Sequence, residues 1–460
     1  MKITIIGCGY VGLVTGACFA ETGNHVIGVD KDAERVNDLN RGNLPIYELG
    51  MDNLVRHNLQ AQRLTFTTDL AAAVHTSELI FICVGTPPTS DGSADLIAVM
   101  AVTDALADAI DHSCIVVVKS TVPIGTTQLV KERIRTKARS DFDIANNPEF
   151  LREGLAIDDF NRPDRVIVGV ERKEVGDVFR ELYRPFLRAG NPMIVTDPRT
   201  SEMIKYVSNA MLATKISFIN EMANLCEAVG ADIDQLRLGV CSDKRIGVEF
   251  MFPGIGYGGS CLPKDIPALI HTGEESGVNC RLLKMVHEVN EHQPRRMFER
   301  IRDLFKGDLR EKTGAVWGTA FKAGTNDVRF SPSIAIIEML LGAGARIRVH
   351  DPWALDTTRA VLGDRVVYCR DCYEALDGAD FLFVGTDWRE YRSPDFELIQ
   401  KKLRFPILLD GRNIYDPERM RIRGFVYGGV GRVDFRRRGT RGPGVKHGQE
   451  ERGDEQGGEV

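Results

Sequence analysis

Met1-Lys2-Ile3-Thr4-Ile5-Ile6-Gly7-Cys8-Gly9-Tyr10-Val11-Gly12 opens the chain, and its reading decides the fold. Residues 3–6 have the pattern of a buried strand, and it runs straight into glycines spaced G-x-G-x-x-G. Gly7 and Gly9 permit a tight turn and close approach of the backbone to a pyrophosphate, while Gly12 lets a helix pack on the strand. That helix start offers free N–H groups to phosphates. A second strand, His25–Val29, ends at Asp30. An acid at this spacing accepts ribose hydroxyls and repels the additional phosphate of NADP. The glycines alone also fit a tight helix–strand turn with no ligand. Together with the strand, the helix and Asp30 they point to NAD.

Further strand patterns at 79–84, 115–119, 143–145, 165–170 and 193–195 alternate with helical stretches, which predicts βαβ units on a parallel sheet. From Thr200 to about Arg302 the pattern changes to long helices. Thr200-Ser201-Glu202 supplies capping residues, and Met203, Tyr206, Val207, Ala210, Met211, Thr214, Ile216 and Ile219 recur at helical spacing toward Val229. A helix of that length suits a connector between two lobes and a dimer interface. The α/β pattern then restarts, with strands at 314–318, 346–350, 381–384 and 407–409. A helix from Ser331-Pro332-Ser333 to about Leu341 separates the first two, and Asp351 ends the second. The expected architecture is α/β: two doubly wound Rossmann-like domains joined by a long central helix. Residues 1–199 would bind the dinucleotide, 200–302 form a helical, dimerising region, and 303–432 the second, smaller doubly wound domain. The Gly-, Arg- and Glu-rich stretch 433–460 reads as a disordered tail.

The 460 residues, 43% apolar and 27% charged, have an ordinary globular composition. Such a chain accommodates about three domains and several cores without disulfides or structural metals. A net charge of -6 argues against nucleic acid as a main partner. No apolar run predicts a membrane span, and the N-terminus does not read as a signal peptide. The ten cysteines are scattered, several inside strand-like runs, as reduced thiols of a cytoplasmic protein are. Cys369 and Cys372 form a C-x-x-C without a second pair or a zinc-ligand cluster, so no metal is expected.

Val84-Gly85-Thr86-Pro87-Pro88 and Ser120-Thr121-Val122-Pro123 follow parallel strands at their carboxyl ends, where doubly wound sheets bind ligands. Thr86 and Thr121 are placed to hydrogen-bond the cofactor or a water beside it, although such turns often serve only as helix caps. Between Pro253 and Asp265, Gly254, Gly256, Gly258 and Gly259 make a loop that wraps closely around a ligand, and Cys261 stands at its end. Lys264 and Asp265 follow. A thiol near positive charge or a helix start becomes a nucleophile; the alternative is a structural cysteine after a flexible loop. Lys205 and Asn209, four apart, share one face of the long helix, as an ordinary solvated pair also would.

GCGYVGL (7–13), VGTPP (84–88), STVPIGT (120–126), NPEFLREG (147–154), EMIKYVSNA (202–210), PGIGYGGSCLPKD (253–265), FKAGTNDVR (321–329) and DGRNIYDP (410–417) occur in this order. In these segments the chain, up to Arg432, resembles the UDP-glucose/GDP-mannose dehydrogenases. The resemblance implies oxidation of a sugar nucleotide's primary alcohol to the acid with reduction of two NAD+. It implies that Asp265, a water and Lys205 handle the first proton, and that Cys261 forms a thiohemiacetal and then a thioester. Glu149 would serve as acid/base for the hydrolytic water, with Thr121 beside the reacting centre, and Asn209 with Lys205 would steady the oxyanion. Beside the glycines, NAD would meet Val11, Asp30, Arg35, Thr86, Thr121, Glu153, Lys264 and Arg329. The sugar nucleotide would meet Phe150, Leu151, Arg152, Glu153, Lys205, Asn209, Arg245, Phe250, Gly254, Gly256, Tyr257, Gly258, Lys322 and Arg412, which makes 303–432 the UDP-sugar domain.

The Arg245 position implies reach into a neighbouring subunit's site, hence a homodimer or higher homo-oligomer. Ser242-Asp243-Lys244-Arg245-Ile246-Gly247, FKAGTNDVR and DGRNIYDP look like the UDP-glucose branch. Leu262 also suits the GDP-mannose branch, so GDP-mannose and UDP-N-acetylmannosamine stay open as substrates. Leu49 stands where members commonly carry proline, and Phe330 follows Arg329 where an acid is expected, a change that bears on the nucleotide end.

Overall fold

The computed structural model describes residues 1–187 and 190–432. The first sheet contains β1 (Lys2–Ile6), β2 (His25–Val29), β3 (Leu64–Thr67), β4 (Leu79–Ile82), β5 (Cys114–Val118), β6 (Phe142–Asn146), β7 (Val166–Val170) and β8 (Met193–Thr196). Their order is β3-β2-β1-β4-β5-β6-β7-β8. Strands β4 and β7 are buried throughout, which is why they read as unbroken apolar runs. One strand departs from the expected parallel sheet: β7 runs antiparallel to β6. The connection between them contains only the helix Ala156–Asn161. Six residues of helix are too short to carry the chain back along the sheet, so β7 starts on the edge where β6 ends.

The second sheet contains β9 (Thr313–Trp317), β10 (Arg346–His350), β11 (Val367–Tyr368), β12 (Phe381–Val384), β13 (Ile407–Asp410) and β14 (Val426–Gly429). Its order is β11-β10-β9-β12-β13-β14, with every pair parallel. Strands β3, β11 and β14 escape a sequence reading because they are short and, in β14, half glycine. Each sheet reverses its direction of growth beside its first strand, between β1 and β4 and between β9 and β12. Crevices at the carboxyl ends of such strands are where doubly wound sheets bind ligands. The core under the first sheet centres on Ile3, Ile5, Phe19, Phe81 and Phe179. In the second, Trp317 stacks on Tyr391, with ring centroids 5.1 Å apart.

The helix Pro198–Val229 joins the two sheets through 32 residues, about 48 Å of helix. It opens two residues before the expected Thr200-Ser201-Glu202 cap. The Asp197 side chain accepts the Thr200 N–H at 3.0 Å, and Pro198 suits the first turn. Ser201 and Glu202 are buried instead. Glu202 accepts the Thr127 N–H at 2.7 Å and ties the helix to the turn after β5. Gly230, at φ 78°, ends the helix. Ser331 also differs from a side-chain cap: its hydroxyl donates to the Thr319 carbonyl at 2.7 Å, and the helix starts at Pro332.

Helices Leu262–Glu275 and Arg281–Leu304 pack on the long helix and hold the glycine loop between the sheets. Among the described residues no helix is long and apolar enough to cross a membrane. All ten cysteines are free thiols, Cys369 and Cys372 among them. The tail 433–460 lies outside the described residues.

Candidate active site

The turn after β1 is built by steric necessity. Gly7 has φ +98°, and a Cβ on Gly12 would sit 1.9 Å from the Gly7 carbonyl oxygen. Above Gly9 nothing lies within 4 Å, and no side chain caps the helix Tyr10–Glu21, in whose first turn Val11 stands. This open turn fits a pyrophosphate. Asp30, buried at the end of β2, accepts the Cys8 N–H at 3.0 Å and the Arg35 guanidinium at 3.2 Å. Its carboxylate stands where a ribose would be read. Across the switch point, Thr86 Oγ1 donates to the Thr121 carbonyl at 2.8 Å, so one turn holds the other. These residues fit a dinucleotide.

The second centre lies between the sheets. Lys205 Nζ donates to Glu149 Oε1 at 3.0 Å, and both side chains are buried. Burial alone would raise Glu149, but Lys205, the Leu151 N–H and Lys119 outweigh it and hold the carboxyl below its ordinary value. Burial likewise opposes the Lys205 charge, yet Glu149, Cys261 and Asp265 together raise it. The pair therefore rests as carboxylate and ammonium. One helical turn on, Asn209 Nδ2 donates to Asp265 Oδ2 at 2.6 Å, and Lys264 Nζ donates to Asp265 Oδ1 at 2.5 Å. Cys261 stands just before the helix Leu262–Glu275, 3.7 Å from Ser260 Oγ. Burial pushes its thiol up to about 11, against the pull of Lys205.

Glu149, Lys205, Asn209 and Cys261 face a cavity of about 1610 Å³ lined from both ends of the chain. Phe150, Leu151, Arg152 and Glu153 come from the segment after β6, and Lys322 and Arg412 from the carboxyl ends of β9 and β13. Between them Phe250, Gly254, Gly256, Tyr257 and Gly258 form the loop wall. That loop is clamped from the flanking helices. Asn220 accepts the Gly254 N–H at 2.8 Å, Gln293 donates to the Gly254 carbonyl at 3.1 Å, and Asn290 accepts the Tyr257 N–H at 2.8 Å. A Cβ on Gly258 would stand 2.4 Å from the Phe330 carbonyl. Phe330 thus acts on the loop through its backbone, while its ring is exposed.

Arg412 is held by the carbonyls of Gly385 and Phe321, at 2.8 and 2.6 Å, and burial lowers its pKa. A part-buried guanidinium held in place by carbonyl oxygens fits an anionic ligand. Glu153 joins three segments: Ser260 and Thr325 hydroxyls donate to it at 3.3 and 3.1 Å, and Arg329 lies 3.7 Å away.

Not every expected residue reaches the cavity. Asp265 is 1% exposed and stands behind the lining residues. Thr86, Thr121, Lys264 and Arg329 also stand outside the lining. Arg245 is 89% exposed and pairs with Asp243 at 2.6 Å, so within one chain it does not join the site. Conversely, Lys119 lines the cavity although it reads as the end of a strand. Its amine donates to Asn147 Oδ1 at 3.2 Å, and burial lowers its pKa to about 8. Its place at a carboxyl end of the sheet was the available signal. The clamps Asn220, Asn290 and Gln293 carry no such signal.

Residues 1–187 match the NAD binding domain of the UDP-glucose/GDP-mannose dehydrogenase family, 199–292 its central domain and 315–417 its UDP binding domain. The chain is 48% identical to a UDP-glucose 6-dehydrogenase of Pseudomonas aeruginosa, over 94% of this chain and 98% of that one. It is 44% identical to one of Rhizobium meliloti, over 94% of this chain and all of that one (100%). The solved structure of a UDP-glucose dehydrogenase from Pyrobaculum islandicum superposes with a TM-score of 0.87 at 38% identity, over 93% of this chain and 97% of that one. With its dinucleotide turn, its cysteine centre and these three domain matches in one order along the sequence, the chain belongs to the UDP-glucose/GDP-mannose dehydrogenase family.

Proposed function

We propose that this protein oxidises UDP-glucose to UDP-glucuronate with reduction of two NAD+. Curated relatives at 42–48% identity over nearly the full length carry UDP-glucose 6-dehydrogenase names, which favours UDP-glucose over GDP-mannose or UDP-N-acetylmannosamine. The observation that carries the mechanism is Cys261 beside the cavity, within the field of a buried ammonium, Lys205. A plain alcohol dehydrogenase has no use for a nucleophile there.

NAD+, when bound, would supply the hydride acceptor, a first NAD+ for the alcohol oxidation and a second for the oxidation that follows. In the first, the alcohol proton passes through a water toward Asp265 while the Lys205 ammonium faces the developing alkoxide. The Cys261 sulfur then adds to the aldehyde carbon, forming a C–S bond, and its proton ends on the former carbonyl oxygen. As the second hydride leaves, the proton on that oxygen passes out through the same water and a thioester results, at which Glu149 takes a proton from the attacking water. The C–S bond breaks, the acid leaves and the thiol is restored. Asn209 and Lys205 face the oxyanion of both additions.

The division of labour is 1–199 for the dinucleotide, 200–302 for the helical connection and 303–432 for the UDP-sugar. Arg245 serves a neighbouring subunit in a homodimer or larger assembly, and the free thiols suit the cytoplasm. The test follows NADH absorbance after separate additions of UDP-glucose, GDP-mannose and UDP-N-acetylmannosamine. Two NADH per UDP-glucose is the expected result. One NADH per sugar would overturn the thioester route, and turnover of another sugar nucleotide alone would move the substrate.

A further inference from the structure

Tyr10 begins the helix whose N-terminus fits the pyrophosphate, yet its side chain turns elsewhere. Its hydroxyl donates to Glu48 Oε2, and the same carboxylate accepts the N–H of Gly154 at 2.7 Å and of Ala156 at 2.9 Å. Gly154 N also lies 3.2 Å from the Tyr10 oxygen. Glu48 is 6% exposed, and among the described residues no cation pairs with it. A buried carboxylate satisfied by a phenol and two backbone amides is a fixing point, because losing any donor leaves charge uncompensated.

What Glu48 fixes is specific. Gly154 ends the segment carrying Glu149 through Glu153, and its backbone is pinned on the far side as well. A Cβ there would meet the Gly324 carbonyl at 2.5 Å. The neighbour of Glu48, Tyr47, packs against Trp353 of the second sheet's domain, with the rings tilted at 44° and their centroids 4.0 Å apart. Gly42 and Gly50, at φ +81° and +85°, bound this strap. Leu49 lacks the fixed φ that proline would impose, so Glu48 is held by its hydrogen bonds. The chemistry above uses neither the Tyr10 hydroxyl nor Glu48.

We infer that Glu48 is a positioning residue that couples the dinucleotide turn to the sugar-nucleotide segment, so that each ligand alters the affinity for the other through Tyr10, Glu48 and Gly154. The coupling rests on the assignment of those two sites and is reciprocal.

Calorimetric titration of UDP-glucose with and without saturating NADH tests it, since the reduced cofactor permits no oxidation. The wild-type dissociation constants should differ by about fivefold or more. In Tyr10→Phe, which keeps the ring and loses only the hydroxyl, the ratio should fall to near one in a protein that still folds, with a Tm lowered by the loss of one donor to the buried carboxylate. Glu48→Gln should do the same. Hydrogen exchange on the wild type supplies a check independent of either variant: NADH alone should slow exchange at Gly154 and Ala156. A wild-type ratio of one, or a Tyr10→Phe ratio equal to the wild type's, overturns the coupling. Failure of the wild type to bind UDP-glucose at all would overturn the substrate assignment, and the coupling with it.

Discussion

Lys205 Nζ lies 3.0 Å from Glu149 Oε1, with 5% and 8% of the two side chains exposed, so neither charge has water to replace its partner. Glu149 is held below its ordinary value. Its contribution to stability is therefore present above the unfolded pKa, about 4.3, and is lost as the pH falls through the lower folded value. Lys205 is raised, so its contribution is present below about 10.4 and is lost as the pH rises through the higher folded value. Lys205→Met should lower the unfolding free energy at neutral pH by about 3–5 kcal/mol. It should also invert the acid limb. Without its partner the buried carboxyl rises, so acidification from pH 7 toward 4.5 should stabilise the variant while it does not stabilise the wild type. Urea titrations across that range decide it, and parallel slopes for the two proteins would sink the argument.

The two glycines of the first turn separate folding from binding. Gly9 has open space where a Cβ would go, whereas a Cβ on Gly12 would overlap the Gly7 carbonyl. Gly9→Ala should keep the wild-type Tm and weaken NADH binding at least about tenfold by filling the pyrophosphate space. Gly12→Ala should lose both, with about 1–3 kcal/mol of stability. Fluorescence titration with NADH is the measurement. Wild-type NADH affinity in folded Gly9→Ala would put the pyrophosphate somewhere else.

How much of the fold and site is legible in the sequence follows from where the information sits. The strands β1, β2 and β4 are legible because helices cover the sheet and make the runs apolar, and Gly7, Gly9 and Gly12 because their backbone demands leave a local trace. Lys205 and Asn209 are legible as a pair through helical spacing. Their partners are not: Glu149 and Asp265 lie 56 residues away from them in each case, and only tertiary packing brings them in. The reversal of β7 depends on the path of a loop rather than on the residues of the strand. Asp197, and not Thr200, caps the long helix because Pro198 moves its start. Glu48 reads as one acid among many until its three donors are seen.

The long helix has two apolar faces, and only one is covered. Tyr206, Ala210, Ala213 and Ile219 are buried, while Met203, Val207, Met211, Phe218, Leu225 and Val229 are exposed at spacings of four and seven. We propose that a second copy covers this stripe. Sedimentation should show a dimer or larger species that Met211→Asp with Phe218→Asp converts to monomer. If Arg245 serves the neighbour, Arg245→Ala and Cys261→Ala proteins, each inactive, should regain activity when their subunits are exchanged. In the mixed dimer one site has both Cys261 and the other subunit's Arg245. No recovery from proven hybrids would place Arg245 outside catalysis.

Burial raises the Cys261 thiol to about 11, with Glu149 and Asp265 adding to the rise and Lys205 opposing it. The protonated thiol is therefore the resting form at neutral pH, and the thiolate fraction grows about tenfold per pH unit below that value. Iodoacetamide reacts with the thiolate, so alkylation of Cys261 in the ligand-free protein should rise about tenfold per unit from pH 7 to 10. Mass spectrometry of the Cys261 peptide keeps the half-exposed Cys241 and Cys280 out of the readout. Removing the opposing cation must raise the thiol further, so Lys205→Met should be alkylated more slowly than the wild type throughout this range. A rate that is already level between pH 7 and 9 would mean that the thiolate is the resting form and that the Lys205 field outweighs burial.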